Sequence, residues 1–410
     1  MAHGVMKLFI EQALFEPSAS AAQVRLTAIR PFEYSQSRNH LEGAVSMLSP
    51  YLTHGFLTVP EVAAHVYKVH RMSVQHKFVF ELAWREYFQH VHDAIGDEVC
   101  QDIHEGVLPA GAYSHTLPED VRQGATGVPV VDQAVRQLYF NGYLHNHARL
   151  WLASYLVHIR KVHWRVGADW MYSHLLDGDI ASNHLSWQWV AGTGSSKPYL
   201  FNAANVAMHA PEVWHSPNTV IDKDMEIIEM ISQSQATFTQ KTTHHVKVDE
   251  PDLLVSPPRE ADLVASGLAA DKLIDRDVWW IHPWSLSEQA PPQMPADAMR
   301  VAACWQEWTQ AHPWSTARWL FVARGMHQVA SHCWFEDAAR LTDIFSKART
   351  VHVWDHRALP DWPGVHWVRH PAPRLWPRQE ERSPSFSHWW SKVTRYKQSI
   401  PQLLRNLQGP

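Results

Sequence analysis

Two carboxylates flank a glycine at Asp177-Gly178-Asp179, and an amide side chain follows at Asn183. Such a sequence is typical of a turn that leads into a helix. Its carboxylate oxygens could accept hydrogen bonds from a ligand's hydroxyl or amino groups, or they could cap the helix, where Asp is favoured. Asn183 precedes Trp187 by four residues, so both side chains lie on one helical face. The pattern predicts either a polar ligand pocket or a capped helix in a packed bundle.

Two further sets of residues have the spacing of one helical face. Glu81 and Trp84 are three residues apart and can project into one cavity. There the indole would offer a stacking surface for a nucleic-acid base, and the carboxyl group could donate a proton or a hydrogen bond. Arg149 lies three residues after Asn146 and could pair with Asp177. A buried pair of this kind mainly fixes geometry, whereas a surface pair contributes little.

The composition of the 410 residues excludes several classes of protein. Apolar residues make up 45% and charged residues 19%, a balance typical of a folded chain. Three cysteines are too few for a disulfide framework or a four-cysteine iron–sulfur cluster, and we expect a reducing, cytoplasmic environment. No apolar run has the ~20 residues of a membrane helix, so no membrane contact is expected. The histidine pairs 145/147 and 244/245 lack accompanying cysteines or an HExxH spacing, so no metal site is predicted.

Apolar residues in the first 245 positions recur with helical periodicity, and the alternation typical of strands is nearly absent. The stretches with this periodicity are Glu61–His70, Phe78–Val91, Val130–Tyr139, Ala148–Ile159 and Met225–Ile231. The polar, proline-containing stretch His244–Glu260 then indicates a linker, which we assign to residues 246–260.

The pattern changes after the linker. Short apolar runs at Val278–Trp284, Trp319–Ala323, Val351–Trp354 and His366–Val368 alternate with the helix-compatible segments Ala298–Gln310 and Phe335–Ser346. This alternation predicts a small α/β domain over residues 261–410 with a mainly parallel sheet. Its basic end contains Trp376, Trp389 and Trp390, which suits contact with single-stranded nucleic acid. The alternative is a solvated helix with tryptophans packed beneath it.

Several spaced motifs carry a family resemblance. They are Leu48–Leu52, Glu81–Phe88, Thr126–Asp132, Gly142–Arg149, Asp177–Asn183 and Trp187–Trp189. Together, over about residues 30 to 205, they resemble the FAD-binding catalytic domain of the photolyase/cryptochrome family. The resemblance implies an all-α FAD-binding domain of photolyase type, here residues 1–245, followed by the small α/β domain. Typical members begin with an α/β antenna domain, so the chain looks like a short or rearranged member without it, and no second chromophore is assigned.

The resemblance implies a set of side chains that bind FAD. Asn183 matches an amide beside the flavin N5, and Arg149 matches a residue that braces the pocket. The implied cofactor-binding set is Tyr34, Ser46, Leu48, Ser49, Arg85, Arg149, Asp177, Asp179 and Asn183. Trp187 and Trp164 match the inner and middle residues of an electron-transfer chain. The outer tryptophan falls at Gly111, so Tyr113 is the substitute donor; Trp151 and Trp170 are alternatives.

The resemblance also implies a substrate, namely DNA that contains cyclobutane pyrimidine dimers. Glu81, Trp84 and Asn146 match the catalytic residues of relatives that repair this lesion with an electron from photoexcited reduced FAD. The implied substrate-binding set adds Arg38, His147 and Trp189. Relatives that act on the (6-4) photoproduct carry a histidine where this chain has Asn146, which argues against that lesion. The expected enzyme is therefore a photolyase-like lyase, and we expect single-stranded DNA to be among its partners.

Three departures from the family pattern keep a second function open. His147 replaces the usual arginine after Asn146, and Met47 replaces an arginine of the flavin-phosphate loop, which removes a bidentate phosphate donor. The outer tryptophan is also absent. These changes fit a cryptochrome-like blue-light photoreceptor without repair activity, whose C-terminal domain would signal to a protein partner.

Overall fold

The computed structural model describes residues 14–240, 247–395 and 399–406. Its first part is mainly helical, as predicted. The helices are α1 (Ala19–Thr27), α2 (Pro31–Ser37), α3 (Ser49–Thr53), α4 (Val59–His70), α5 (Lys77–Ile95), α6 (Glu119–Arg122), α7 (Pro129–Asn141), α8 (Asn146–Ser154), α9 (Trp164–His174), α10 (Ile180–Ala191), α11 (Ala203–His209) and α12 (Met225–Gln233). A π-helical turn at Tyr155–Ile159 continues α8. All five helical stretches predicted from periodicity are confirmed.

Local sequence signals set the ends of these helices. At the start of α4, the Thr58 hydroxyl accepts from the Glu61 N–H while the Glu61 carboxylate accepts from the Thr58 N–H. The helix α5 ends at Gly96, with a φ of 60°, and α7 ends at Gly142, with a φ of 59°. Glycine adopts positive φ without a steric penalty, so it is the residue best suited to these two ends.

The second part of the chain is a parallel sheet with helices around it. Its strands are β2 (Asp277–Ile281), β3 (Met299–Trp305), β5 (Cys333–Glu336), β6 (Thr350–Trp354) and β7 (Trp367–His370), and its helices are α13 (Gln306–Ala311), α14 (Thr316–Val329) and α15 (Ala338–Ser346). The strand order is β5-β3-β2-β6-β7, and every neighbouring pair is parallel. This doubly wound order confirms the predicted α/β domain.

Two predicted elements of this domain are wrong. Trp319–Ala323, which we expected to be a strand, lies inside α14, and Ala298–Gln310, expected to be a helix, is divided between β3 and α13. Trp319–Ala323 and the β3 residues Val301–Trp305 are all buried. A short buried apolar run has the same composition in a strand as in an interior helix, so periodicity alone does not distinguish the two.

The helical and α/β domains share one hydrophobic core. A single buried cluster extends from Val62 on α4 and Val79 on α5 to Trp280 on β2 and Phe345 on α15, and a second cluster fills the interior of α7–α10. The described part of the linker is docked, because β1 (Leu253–Leu254) pairs with β4 (Trp314–Ser315). Residues 244–246 of the predicted linker stretch lie outside the described residues.

The basic C-terminal end packs against the helical domain. Trp376 and Trp389 are buried, and α16 (Phe386–Val393) lies against α5; a last helix, α17, follows at Ile400–Asn406. The sequence left two alternatives for this end, contact with nucleic acid or tryptophans packed under a helix. The burial of Trp376 and Trp389 supports the second. These two rings are not accessible for stacking on nucleic acid.

Within the described ranges, no helix is both long and apolar enough to cross a bilayer. The three cysteines are free thiols, and Cys304 and Cys333 are buried. In the same parts of the chain, no three or more His, Cys, Asp or Glu side chains are grouped so as to hold a metal ion.

Candidate cofactor and substrate site

A cavity of 390 Å³ opens between the helices α2, α3, α5, α8 and α10. This volume lies in the range of small-molecule sites, roughly 300–1,000 Å³. Most of the predicted site residues line it: Tyr34, Arg38, Ser46, Leu48, Ser49, Glu81, Trp84, Arg85, Asn146, Arg149, Asp177, Asn183 and Trp187. Residues separated by up to about 150 positions in the sequence are thus brought to one surface by the packing of the bundle. The predicted residues that do not line it are Tyr113, His147, Trp164, Asp179 and Trp189.

The predicted pair between Arg149 and Asp177 is confirmed. Arg149 Nη2 donates to both carboxylate oxygens, at 3.0 and 2.8 Å, and its Nε donates to the Leu144 carbonyl. Burial opposes the charge of Arg149, but the Asp177 carboxylate outweighs it and raises the pKa of the guanidinium. The pair is therefore a fixed ionic wall of the cavity.

Asp179 does not line this first cavity but caps a helix. Its carboxylate accepts from the Ser182 N–H at 2.9 Å, so it is the N-cap of α10, and it also accepts from Gln89 Nε2. Burial alone would raise its pKa, but the charge of Arg85 and these hydrogen bonds lower the pKa to about 2. The carboxylate is thus ionised at neutral pH.

Asp179 lines a second cavity of 470 Å³ between the two domains. His282 and Trp284 follow β2, and His356 follows β6, so this cavity lies at the carboxyl ends of two adjacent strands. Those strands flank the point where the sheet order reverses, the usual position for ligands in doubly wound domains. Arg85 lines both cavities and donates to Thr53 Oγ1 at 3.1 Å, so it forms part of the wall between them.

Glu81 and Trp84 both face the first cavity, as their spacing predicts. Glu81 pairs with Lys77 Nζ at 2.8 Å and lies 3.6 Å from Arg38 Nε. Trp84 is stacked on Phe386 of α16, with ring centroids 3.9 Å apart and an interplanar angle of 10°. The C-terminal end of the chain therefore backs the indole that the sequence assigns to substrate stacking.

Asn146 begins α8, and His145 caps that helix by accepting from the His147 N–H at 3.1 Å. The His147 ring packs beside the cavity against Trp151 and His209. Burial, with positive charge nearby, lowers the pKa of both His145 and His147 to about 4. At neutral pH His147 is uncharged, so it does not reproduce the cation of the arginine it replaces.

The predicted electron-transfer residues lie in two places. Trp187 lines the cavity and packs so closely on α9 that a Cβ on Gly167 would come within 2.3 Å of the indole. Trp164 is buried in the same hydrophobic cluster as Trp187 and donates Nε1 to Asp102 at 2.5 Å. Trp164 and Tyr113 line a separate narrow cleft, where the ring of His163 contacts both.

Of two other predicted residues, Asn183 lines the cavity and Trp189 does not. The Asn183 amide donates Nδ2 to the Ala168 carbonyl at 2.8 Å, which orients the side chain at the cavity wall. Trp189 is 41% exposed and stacks on Tyr199 at a centroid distance of 5.3 Å, away from the cavity lining. The geometry therefore gives Trp189 no contact with a ligand in this cavity.

Two residues of this site, Tyr143 and Lys77, were not predicted from the sequence. Tyr143 is half-buried and lines the cavity, and the Arg149 guanidinium lies 5.4 Å from its ring centroid; burial raises the pKa of Tyr143 to about 12. Lys77 pairs with the Glu81 carboxylate, while Met47, which the sequence analysis did name, lines the cavity at a φ of 52°. The Lys77–Glu81 spacing of four residues was a readable signal, whereas Tyr143 was hidden inside a motif read for its histidines.

Comparisons with known proteins match a part of the chain that includes much of the first cavity's lining. Residues 78–214 match the family model described as the FAD binding domain of DNA photolyase. The chain is 35% identical over 181 residues to a deoxyribodipyrimidine photo-lyase of Streptomyces griseus, covering 40% of this chain and 36% of that protein. It is 33% identical over 176 residues to a cryptochrome DASH of Gloeobacter violaceus, covering 40% of this chain and 34% of the relative.

Among solved structures, a cryptochrome of Synechocystis matches at 29% identity and a TM-score of 0.43, over 48% of this chain and 44% of that one. An archaeal photolyase from Sulfolobus tokodaii matches at 26% identity and a TM-score of 0.42, over 53% of this chain and 50% of that one. The matched region thus spans about a third of the two sequence relatives and no more than half of these structures.

Proposed function

We propose that this chain, which matches the FAD binding domain of DNA photolyase over residues 78–214, is a member of the photolyase/cryptochrome family that binds FAD and repairs cyclobutane pyrimidine dimers in DNA in a light-dependent reaction. The observation that carries the proposal is the shared cavity, where Glu81, Trp84 and Asn146 face the same space as Asp177 and Asn183. A stacking ring, a carboxyl group and an amide beside an ion-paired wall form a site for both a substrate and a cofactor.

The donor set of the cavity fits FAD. Hydroxyl groups of Ser46 and Ser49 suit phosphate oxygens, and the Asp177 carboxylate suits hydroxyl or amino donors of a nucleotide. The Asn183 amide presents a polar group beside the Trp187 ring, as a flavin edge requires. The replacement of the loop arginine by Met47 leaves phosphate binding to hydroxyls and backbone N–H groups.

The chain's own residues hold the substrate and stabilise charge on it. Trp84 stacks on an extruded base, a contact worth about 1–3 kcal/mol per base, and its backing by Phe386 keeps the indole fixed. The Asn146 amide donates to a pyrimidine carbonyl, and the Glu81 carboxyl group, once protonated, donates its O–H to another, where negative charge develops. Lys77 and Arg38 orient the Glu81 carboxyl group. Reduced FAD, when bound and excited by light, supplies the electron that splits the cyclobutane ring.

The buried indoles of Trp187 and Trp164 are the proposed route by which electrons reach the cavity from outside. Trp187 lines the cavity, and Trp164 lies in the cleft that Tyr113 also lines. The His163 ring contacts both Trp164 and Tyr113, so the aromatic contacts continue towards Tyr113 in the absence of an outer tryptophan.

The test is a repair assay on FAD-loaded, chemically reduced protein. A single-stranded oligothymidylate that carries dimers is illuminated with the protein, and the return of thymine absorbance is followed. We expect recovery in light and none in the dark, with a lower yield for Glu81→Ala at unchanged FAD content. No recovery with either single-stranded or double-stranded substrate, by a protein that holds FAD, would reject repair.

A second candidate is a blue-light signalling flavoprotein, favoured by the neutral His147 and by Met47 in the phosphate loop. Both changes remove positive charge that would hold DNA or phosphate. The assay distinguishes the candidates, because a signalling protein would photoreduce its flavin and leave the dimer intact. A His147→Arg variant that gained repair would identify the lost cation as the cause.

A further inference from the structure

The turn between α9 and α10 is held by an arginine from the α/β domain. Arg318 on α14 is fully buried, and its Nη1 and Nη2 donate to the carbonyls of Tyr172 and Gly178, each at 2.7 Å. Gly178 lies between the two carboxylates Asp177 and Asp179. Charged donors make stronger hydrogen bonds than neutral ones, so this contact is well suited to fix a turn.

The surroundings of Arg318 explain how a buried cation is tolerated there. In the described parts of the chain it has no carboxylate within ion-pair distance, and its guanidinium lies 4.3 Å from the Tyr172 ring centroid and 4.7 Å from that of Trp314. Burial lowers its pKa, while the nearby charges of Asp177 and Asp179 act in the opposite direction. The carbonyls and carboxylates of the turn thus offset part of the cost of burying this charge.

The contact leaves no room for a side chain at Gly178. A Cβ built there would lie 2.4 Å from Arg318 Nη1 and 2.5 Å from the Tyr172 carbonyl oxygen. The glycine in the Asp-Gly-Asp sequence is therefore required by close packing against a residue of the other domain. The sequence alone indicated only that this glycine lies in a turn.

A second side chain links the same turn to the α/β domain. Both ring nitrogens of the buried His54 lie within hydrogen-bond distance of carbonyls, at 2.7 Å from Leu176 O and 2.6 Å from Pro283 O. Leu176 belongs to the turn and Pro283 follows β2. The neutral imidazole has one N–H, so it donates to only one of these carbonyls, and Arg318 is the side chain of the α/β domain that holds the turn.

We propose that Arg318 is a positioning residue of the cofactor site, through which the α/β domain sets the geometry of Asp177 and Asp179. By holding the Gly178 carbonyl, it directs the Asp177 carboxylate to Arg149 and the cavity and keeps Asp179 over the first turn of α10. The inference rests on the proposed binding of FAD in that cavity. It gives the α/β domain a direct role in cofactor affinity.

The experiment compares Arg318→Met and Arg318→Lys with Leu341→Ala in the full-length protein. Leu341 is fully buried on α15, so its truncation destabilises the α/β domain without removing a donor to the turn. Thermal midpoints, FAD dissociation constants and hydrogen–deuterium exchange of residues 172–183 in the FAD-free protein are measured for each variant.

We expect Arg318→Met to weaken FAD binding by about tenfold or more relative to Leu341→Ala, and to speed exchange in the turn. Arg318→Lys, which keeps the charge but not the two-pronged geometry, should fall between Arg318→Met and the wild type. If the Arg318 variants lose no more affinity or protection than Leu341→Ala at a matched thermal midpoint, the inference is wrong. A wild-type protein that fails to bind FAD would reject the proposed function, while the exchange data would still test whether Arg318 orders the turn.

Discussion

Truncation of Phe386 to alanine tests whether the C-terminal segment prepares the substrate surface. The Phe386 ring is buried and lies parallel to the Trp84 indole at 3.9 Å. An aromatic pair of this kind contributes about 0.5–1.5 kcal/mol beyond its buried area. If all of this energy, about 1 kcal/mol at the middle of the range, fixes the indole for stacking, the variant should bind a dimer-containing oligonucleotide about fivefold more weakly. Its free energy of unfolding should also fall by about 3–5 kcal/mol, as for other buried phenylalanines.

The assay is fluorescence anisotropy with a labelled single-stranded oligothymidylate that carries one dimer, at equal FAD content. Phe345→Ala is the matched control, because Phe345 is fully buried on α15 and packs on Trp280 and Trp362 instead. Both variants lose the same ring and comparable stability. Dimer binding that is equal in the two variants, or tighter in Phe386→Ala, would refute the backing role and indicate that Phe386 competes with the base for Trp84.

Three further predictions follow from the described contacts. Burial raises the pKa of Glu86 from 4.5 to about 7, despite N–H donors from Leu375 and Trp376. Between these two pH values the folded protein therefore binds more protons than the unfolded chain. The free energy of unfolding should fall by about 3 kcal/mol as the pH rises through this window. Chemical denaturation of Glu86→Gln should lack this slope, and an unchanged slope would contradict the assignment. Asp177→Asn removes the acceptor charge of the Arg149 pair and should lower FAD content on purification, whereas Asp343→Asn, which alters an exposed ion pair on α15, should not. Trp187→Phe and Trp164→Phe should each slow flavin photoreduction about tenfold or more, because phenylalanine is much harder to oxidise; normal rates in both would mean that electrons take another route.

The predicted site residues were recovered best where one helix carries them. Glu81 and Trp84 share a face of α5, and Asn146 and Arg149 share a face of α8, so their spacing alone was enough to group them. Residues whose role depends on a partner from elsewhere in the chain were harder to read. Asp179 is the N-cap of α10 and accepts a hydrogen bond from Gln89, and His147 is half-buried with a pKa lowered to about 4.

The errors in the α/β domain have a related cause. Trp319–Ala323 was expected to be a strand because four of its five residues are large or branched and apolar. It is a stretch of α14 whose five residues are all buried. The strand β3 was missed because it leads directly into α13, and the two elements together were taken as one helix. In both places packing against the rest of the domain decides between strand and helix, and the local sequence pattern does not indicate which one forms.

The sequence by itself determined the helical half, the parallel α/β half and the grouping of charged and aromatic residues on single helical faces, because helical periodicity and capping are local properties. Only the tertiary structure decided that Phe386 backs Trp84, that Arg318 fills the space beside Gly178, and that Arg85 separates two cavities. Each of these contacts joins residues more than 30 positions apart in the chain, and most join the two domains. They follow from how two packed surfaces fit, a property that no stretch of sequence contains on its own.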